Sequence, residues 1–203
     1  MNIEIKISKR RVSYKIAMKI LNKRVEKLKQ NKGKELLWIL EHPTTFTAGI
    51  RSKDTEIIDK RIKLIKTNRG GKITLHSPGQ KIIYFVLNLN KRKKDIRRLI
   101  HIIEKSIIEF LLIYKIKGKK DKKNIGIWVN NKKIAAIGIR VSRWVAYHGC
   151  SINISNNLKQ YLKIVPCGLS NKKVTSILDL IDVKLENYEI DLAKIFIKNI
   201  ENI

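Results

Sequence analysis

The chain has 203 residues, 43% of them hydrophobic, with 45 Lys+Arg against 17 Asp+Glu for a formal net charge of +28. That length builds one sizeable core and excludes two full domains, so 1–203 is expected to fold as one domain, and the lack of any run of about 18 uncharged apolar residues excludes a helical membrane span. A charge this large draws polyanions and acidic proteins, but Lys and Arg are spread along a chain generally rich in Lys, Ile and Asn, so nucleic acid is not the expected partner.

At the start, Ile3, Ile5 and Ile7 alternate with polar residues and predict a strand, with no charged segment followed by an apolar stretch of secretory type. Ser13 is placed to cap a helix whose apolar stripe is Tyr14, Ala17, Leu21, Val25 and Leu28, ended by 31–33. ELLWIL at 35–40 predicts a buried strand feeding a loop at His42-Pro43. Segments 63–67, 72–75 and 82–89 predict three more strands, punctuated by Gly70-Gly71 and Pro78-Gly79. Asp95 opens a long amphipathic helix with Ile96, Leu99, Ile103, Ile107 and Phe110 on one side, followed by a basic excursion at 115–123 that is either a surface turn or a contact for an acidic partner. Strands at 126–129, 133–141 and 147–154 sit at hairpin spacing, with Asn130-Asn131 and Ser142-Arg143 in the turns. A short helix is expected at 174–180 and another from about Glu189, with Leu192, Ile195 and Phe196 inward. Hairpins imply antiparallel pairing and long helices imply covered faces. The expected class is therefore α/β, a mixed, mostly antiparallel sheet flanked by helices.

Three stretches concentrate Gly, His and Pro where a strand meets a loop: 68–80, 132–153 and Pro166-Cys167-Gly168. Cys167, between a residue with fixed φ and one that permits close approach, is either a presented nucleophile or a buried thiol. Cys150 shares strand parity with Ile152 and Ile154, which favours an inert packed cysteine. With only these two cysteines there is no disulfide framework, and a reducing compartment, the cytoplasm, is expected. Lys133 shares a predicted strand face with Ala135, Ile137 and Ile139; it is either a proton-exchange partner for a thiol or a lysine snorkelling to water. His42, His76 and His148 lack any zinc-ligand spacing, so no metal is expected, and Arg69-Gly70-Gly71 lacks the rest of a phosphate-binding framework. The small residues at 135–138 suit a slot for an alkyl chain.

HPTTFTAG (42–49), RGGKITLHSPGQ (69–80), KIAAIGIR (133–140), YHG (147–149) and PCG followed by VTS (174–176) come in the order and at the spacing of the lipoyl(octanoyl) transferases, a family this chain resembles over most of its length. The resemblance implies a biotin/lipoate protein ligase fold, with Cys167 as the acyl-thioester cysteine and Lys133 as the lysine that lowers its pKa or takes its proton. It implies an acyl site lined by Arg69, Gly70, Gly71, Lys72, Ile73, Thr74, Leu75 and His76, by Ala136, Ile137 and Gly138, and by Gly149, Cys150 and Ser151, with His42, Gly79, Gln80 and His148 in support. It further implies octanoyl-acyl carrier protein as donor, its phosphopantetheine supplying the activated thioester so that no cofactor is needed. The implied acceptors are lysines of the lipoyl domains of 2-oxoacid dehydrogenase complexes and of the glycine cleavage H protein. Where the family has Tyr-His-Gly-Pro-Gly-Gln this chain has Leu75-His76-Ser77-Pro78-Gly79-Gln80, and Asn131 replaces the family's glycine before the lysine.

Overall fold

The computed structural model describes residues 3–121, 124–165, 173–183 and 185–203. Strand β1 (Ile3–Ile7) leads into helix α1 (Tyr14–Lys29), where the Ser13 side chain accepts the N–H of Ile16 and the expected stripe of five residues is buried. Strands β2 (Glu35–Leu40), β3 (Thr45–Ala48), β4 (Leu64–Lys66), β5 (Ile73–His76) and β6 (Gln80–Asn88) follow, then helix α2 (Ile96–Ile113), capped by Asp95. The short β7 (Lys119–Lys120), β8 (Ile127–Val129), β9 (Lys132–Ser142), β10 (Val145–Asn153) and helix α3 (Tyr188–Ile200) complete the order.

Seven strands form one sheet in the order β1-β2-β6-β10-β9-β8-β7, antiparallel except for the β1–β2 pair, and β4-β3-β5 form a second, small sheet. The central strands are covered on both faces, which is why β2 and β6 read as continuous apolar runs. Leu36, Trp38, Leu40, Ile82, Tyr84 and Val86 face α1, while Leu37, Ile39, Ile83, Phe85 and Leu87 face α2 and α3. Each such side chain contributes about 1.5–3 kcal/mol when fully buried. The small sheet has its own core around Phe46, Ile73, Leu75 and Tyr161.

Both hairpin turns leading into and out of β9 use left-handed residues, Asn130 and Asn131 in one and Arg143 and Trp144 in the other. Two consecutive positive φ values give the turn twist that matches antiparallel strands. Asparagine announces the first; nothing in Arg-Trp announces the second, which falls one residue later than expected. Two further elements differ from the sequence reading. The stretch after His42-Pro43 was expected as loop, yet Thr45–Ala48 pairs with both β4 and β5. The expected helix at 174–180 is an isolated parallel bridge from Val174 to Lys133 followed by a single turn at Ile177, because the backbone of 173–178 bonds to β9 and β10 instead of to itself.

Candidate active site

A narrow cleft of about 60 Å³ lies between the large sheet and the loop that enters β5. Its walls come from residues 69–74 with His76, from Ala136, Ile137 and Gly138 on β9, and from Gly149, Cys150 and Ser151 on β10. These are the residues expected at an acyl site, with one exception. Leu75 points away into the small sheet's core, fully buried, because β5 alternates and Thr74 and His76 take the cleft side. The departure from the family tyrosine at this position therefore does not touch the cleft. Ile82 and Tyr84 of β6 also line it, and sequence periodicity had no means of selecting them because every residue of that strand is buried.

The absence of side chains sets the width of the cleft. A Cβ on Gly149 would collide with the Ile83 carbonyl, and one on Gly138 would lie 3.0 Å from the Gly70 carbonyl. Gly70 itself donates its N–H to Ile139 at 3.1 Å, drawing the loop onto β9. Arg69 fixes the loop from the other side: its guanidinium donates to the Thr47 carbonyl and hydroxyl, both at 2.8 Å, and to the Gly70 carbonyl at 3.0 Å. It is buried and acts as a brace between β3 and the cleft wall.

One end of the cleft is closed by neutral polar rings. His76 and His148 are both held down to about 3, chiefly by burial, with the positive charge of Arg69 adding to it in each case. A regular strand would aim His148 with Cys150 toward the helices; its φ of 67° turns the ring instead to Asn68, 2.7 Å from Nε2. His42 is fully buried, its Nε2 2.9 Å from the Tyr84 hydroxyl, so it supports the cleft from beneath. Gly79 makes the turn into β6 at φ 82°, where a Cβ would meet Ser155.

Gln80 orders a buried polar chain. Its Nε2 donates to Asn153 Oδ1 and to the Tyr161 hydroxyl, both at 2.9 Å, and its Oε1 accepts from His76 Nδ1 at 2.9 Å. Asn153 Nδ2 in turn donates to the Thr175 carbonyl at 2.9 Å. That carbonyl can only accept, so it sets the direction of every bond back to His76, whose Nε2 is left as an acceptor. Asn153 and Tyr161 were not anticipated, since a strand-end Asn and a tyrosine in a 3-10 turn carry no local signal of a shared network.

Lys133 lines a small cavity that adjoins the cleft and shares Thr74, Ala136 and Ser151 with it, and its strand face is a correction to the sequence reading. Register between β8 and β9 shifts at one point: Ile127 pairs with Ala135 but Trp128 pairs with Lys133. The extra residue places both Ile134 and Ala135 in the helix-covered core and returns Lys133 to the cleft side, with Ala136, Thr74, Ser151 and Asn153. Its residue exposure is only 7%, and Nζ donates to the Ile125 carbonyl at 3.0 Å. Cys167, with Pro166 and Gly168, lies outside the described residues. On either side of that stretch, Val165 donates to the Glu56 carbonyl, and Lys173 accepts from Lys133 N–H at 2.9 Å while Thr175 donates to the Lys133 carbonyl at 3.0 Å. Cys150 is buried in the apolar core with Ile152 and Ile154, which pushes its thiol well up from the ordinary range. That is the packed role expected of it. Among the described residues no group of three His, Cys, Asp or Glu is arranged to hold a metal, and no helix is long and apolar enough to cross a membrane.

The model of the lipoyl protein ligase A/B catalytic domain matches residues 13–197. An octanoyltransferase of Wolbachia sp. subsp. Brugia malayi (strain TRS) is 42% identical over 203 residues, covering 97% of this chain and 98% of that protein. The chain belongs to the octanoyltransferases of that family. Among solved structures, a lipoate-protein ligase A bound with ATP matches at TM-score 0.77 and 14% identity, covering 99% of this chain and 86% of that one. A biotin protein ligase from Aquifex aeolicus matches at TM-score 0.53 and 14% identity, over 100% and 69%. These two likenesses show the shared ligase fold. As an octanoyltransferase, the enzyme is an acyltransferase of protein lipoylation, and the cleft is its candidate acyl site.

Proposed function

We propose that the enzyme takes an octanoyl group from octanoyl-acyl carrier protein, holds it as a thioester on Cys167, and passes it to a lysine of a lipoyl domain in the cytoplasm. The observation that carries this reading is a narrow cleft, apolar along most of its wall, which joins three separate sequence motifs and shares Thr74, Ala136 and Ser151 with the small cavity that Lys133 lines. The acyl chain lies along β9 and β10 over Ala136, Gly138, Ser151 and Gly149, and its carbonyl sits toward Lys133.

In the first half-reaction the Cys167 thiolate attacks the donor carbonyl; a new C–S bond forms, the bond to phosphopantetheine breaks, and the leaving thiolate takes up the proton lost by Cys167, by way of Lys133. In the second, the acceptor amine attacks the Cys167 thioester, an amide C–N bond forms, the C–S bond breaks, and the amine's proton returns to sulfur. A thioester is already activated, so the reading needs neither ATP nor metal. The positive surface suits acidic protein substrates, and Lys117, Lys119 and Lys120 line, with Asp121 and Trp128, a mainly basic depression. Lipoyl domains of 2-oxoacid dehydrogenase complexes and the glycine cleavage H protein are the acceptors this reading names.

The test is transfer from octanoyl-acyl carrier protein to a recombinant lipoyl domain in buffer without ATP, against free octanoate with ATP. Modification of the domain in the first mixture alone is expected. Modification in the second alone would make the protein a ligase.

A further inference from the structure

The amine of Lys133 is held by a cradle built from one stretch of chain, 125–128. The Ile125 carbonyl accepts from Nζ at 3.0 Å, the Trp128 ring lies 4.8 Å below Nζ at its centroid, and the space between is open because residue 126 is glycine. A Cβ on Gly126 would stand 3.1 Å from Lys133 Cε and 3.3 Å from Nζ, and the residue's φ of 134° disfavours any side chain there. Trp128 is itself fixed, 6% exposed, with Nε1 donating to the Asn124 carbonyl at 3.0 Å. The register shift in β9 falls beside this residue, so the bulge that turns Lys133 to the cleft is also what sets it over the indole.

An aromatic face and a carbonyl oxygen are both electron-rich, and together they favour a cation between them. We propose that Trp128 is a positioning residue for acyl transfer: it holds the Lys133 ammonium beside the acyl cleft through the face of its ring. This rests on the reading that Lys133 serves acylation of Cys167. Trp128 does not itself touch the acyl group.

The experiment measures single-turnover formation of the octanoyl-thioester with fluorinated tryptophans placed at position 128. Fluorine withdraws charge from the ring face while making the indole N–H a stronger donor, so a role through the cation and a role through the Asn124 bond respond in opposite directions. The acylation rate is expected to fall stepwise with each added fluorine, and Trp128→Leu to lose about three- to thirtyfold, the range of a cation–π contact. In a Lys133→Met background the fluorine series should be flat. A flat series in the wild-type background, with Lys133→Met still slow, would overturn the inference and leave the functional reading intact. Wild-type acylation by Lys133→Met would instead remove the reading on which it rests. Should Trp128→Leu fail to fold, the fluorinated series still decides, since it changes neither shape nor hydrogen bonding enough to unfold the strand.

Discussion

The Lys133 amine is the cationic group of the small cavity that adjoins the mostly apolar cleft, and the residue is buried on β9. Lys133→Met keeps the stem and removes the charge and the exchangeable proton. It is expected to fold with an unchanged melting temperature within a few degrees and to form the acyl-enzyme about 100-fold or more slowly at pH 7, with the deficit shrinking toward pH 9.5 as hydroxide supplies the thiolate. Stopped single-turnover acylation across pH 6–9.5 reads this; an equal rate at pH 7 would return Lys133 to a packing role. Cys150 lies against the same cleft but belongs to the core. Cys150→Ser places a hydroxyl among Ile152, Ile154 and Phe85, at a cost of about 1–3 kcal/mol if it finds no partner. Denaturant unfolding should show that loss while covalent acyl labelling persists; loss of labelling in a folded variant would mean the reactive cysteine had been misassigned.

Strands and turns explain what was readable from sequence. Both long helices, their caps and the β8–β9–β10 meander follow from apolar period, Ser13, Asp95 and Asn130-Asn131. Thr45–Ala48 was missed because four residues with two threonines show no period, and their pairing to β4 and β5 is entirely non-local. The face of Lys133 was misread because strict alternation cannot foresee a bulge, which depends on the partner strand's register. Motif spacing named nearly every wall of the cleft, whereas Tyr84 and Asn153 entered only through pairing across the sheet and Tyr161 through the hydroxyl contact of a 3-10 turn with Gln80. At this scale the glycines of β9 and β10 make a prediction about substrate length. Gly138→Ala puts a methyl group 3.0 Å from the Gly70 carbonyl, at a point beyond Ala136 as seen from Lys133. Competition between acyl carrier proteins bearing different chains should then shift preference from octanoyl toward shorter groups, and an unshifted preference would mean the chain does not run along β9.

For the molecule as a whole, the buried neutral histidines couple stability to pH. His76 and His148 have folded-state values of about 3 against an ordinary 6.5. Between these limits the unfolded chain binds protons that the folded chain does not, so stability is fully present above pH 6.5 and is lost as pH falls toward 3, at about 1.4 kcal/mol per unit for each ring. Urea unfolding at pH 7.5 and 5.0 should differ by up to about 4 kcal/mol from the two rings together, and His148→Gln should show a smaller difference. An identical difference in that variant would mean the ring is not the coupled group. The large sheet carries α1 on one face and, on the other, α2 against β8 and β9 and α3 against β2. Acylation is the chemical event that the proposed function requires. The most direct measurement is intact-mass and peptide mapping of the enzyme after a short exposure to octanoyl-acyl carrier protein, followed by a chase with unlabelled lipoyl domain. One octanoyl group on Cys167 that disappears at the rate the domain gains it is the predicted result; an unmodified enzyme that still modifies the domain, or an octanoyl group that stays on the enzyme through the chase, would contradict it.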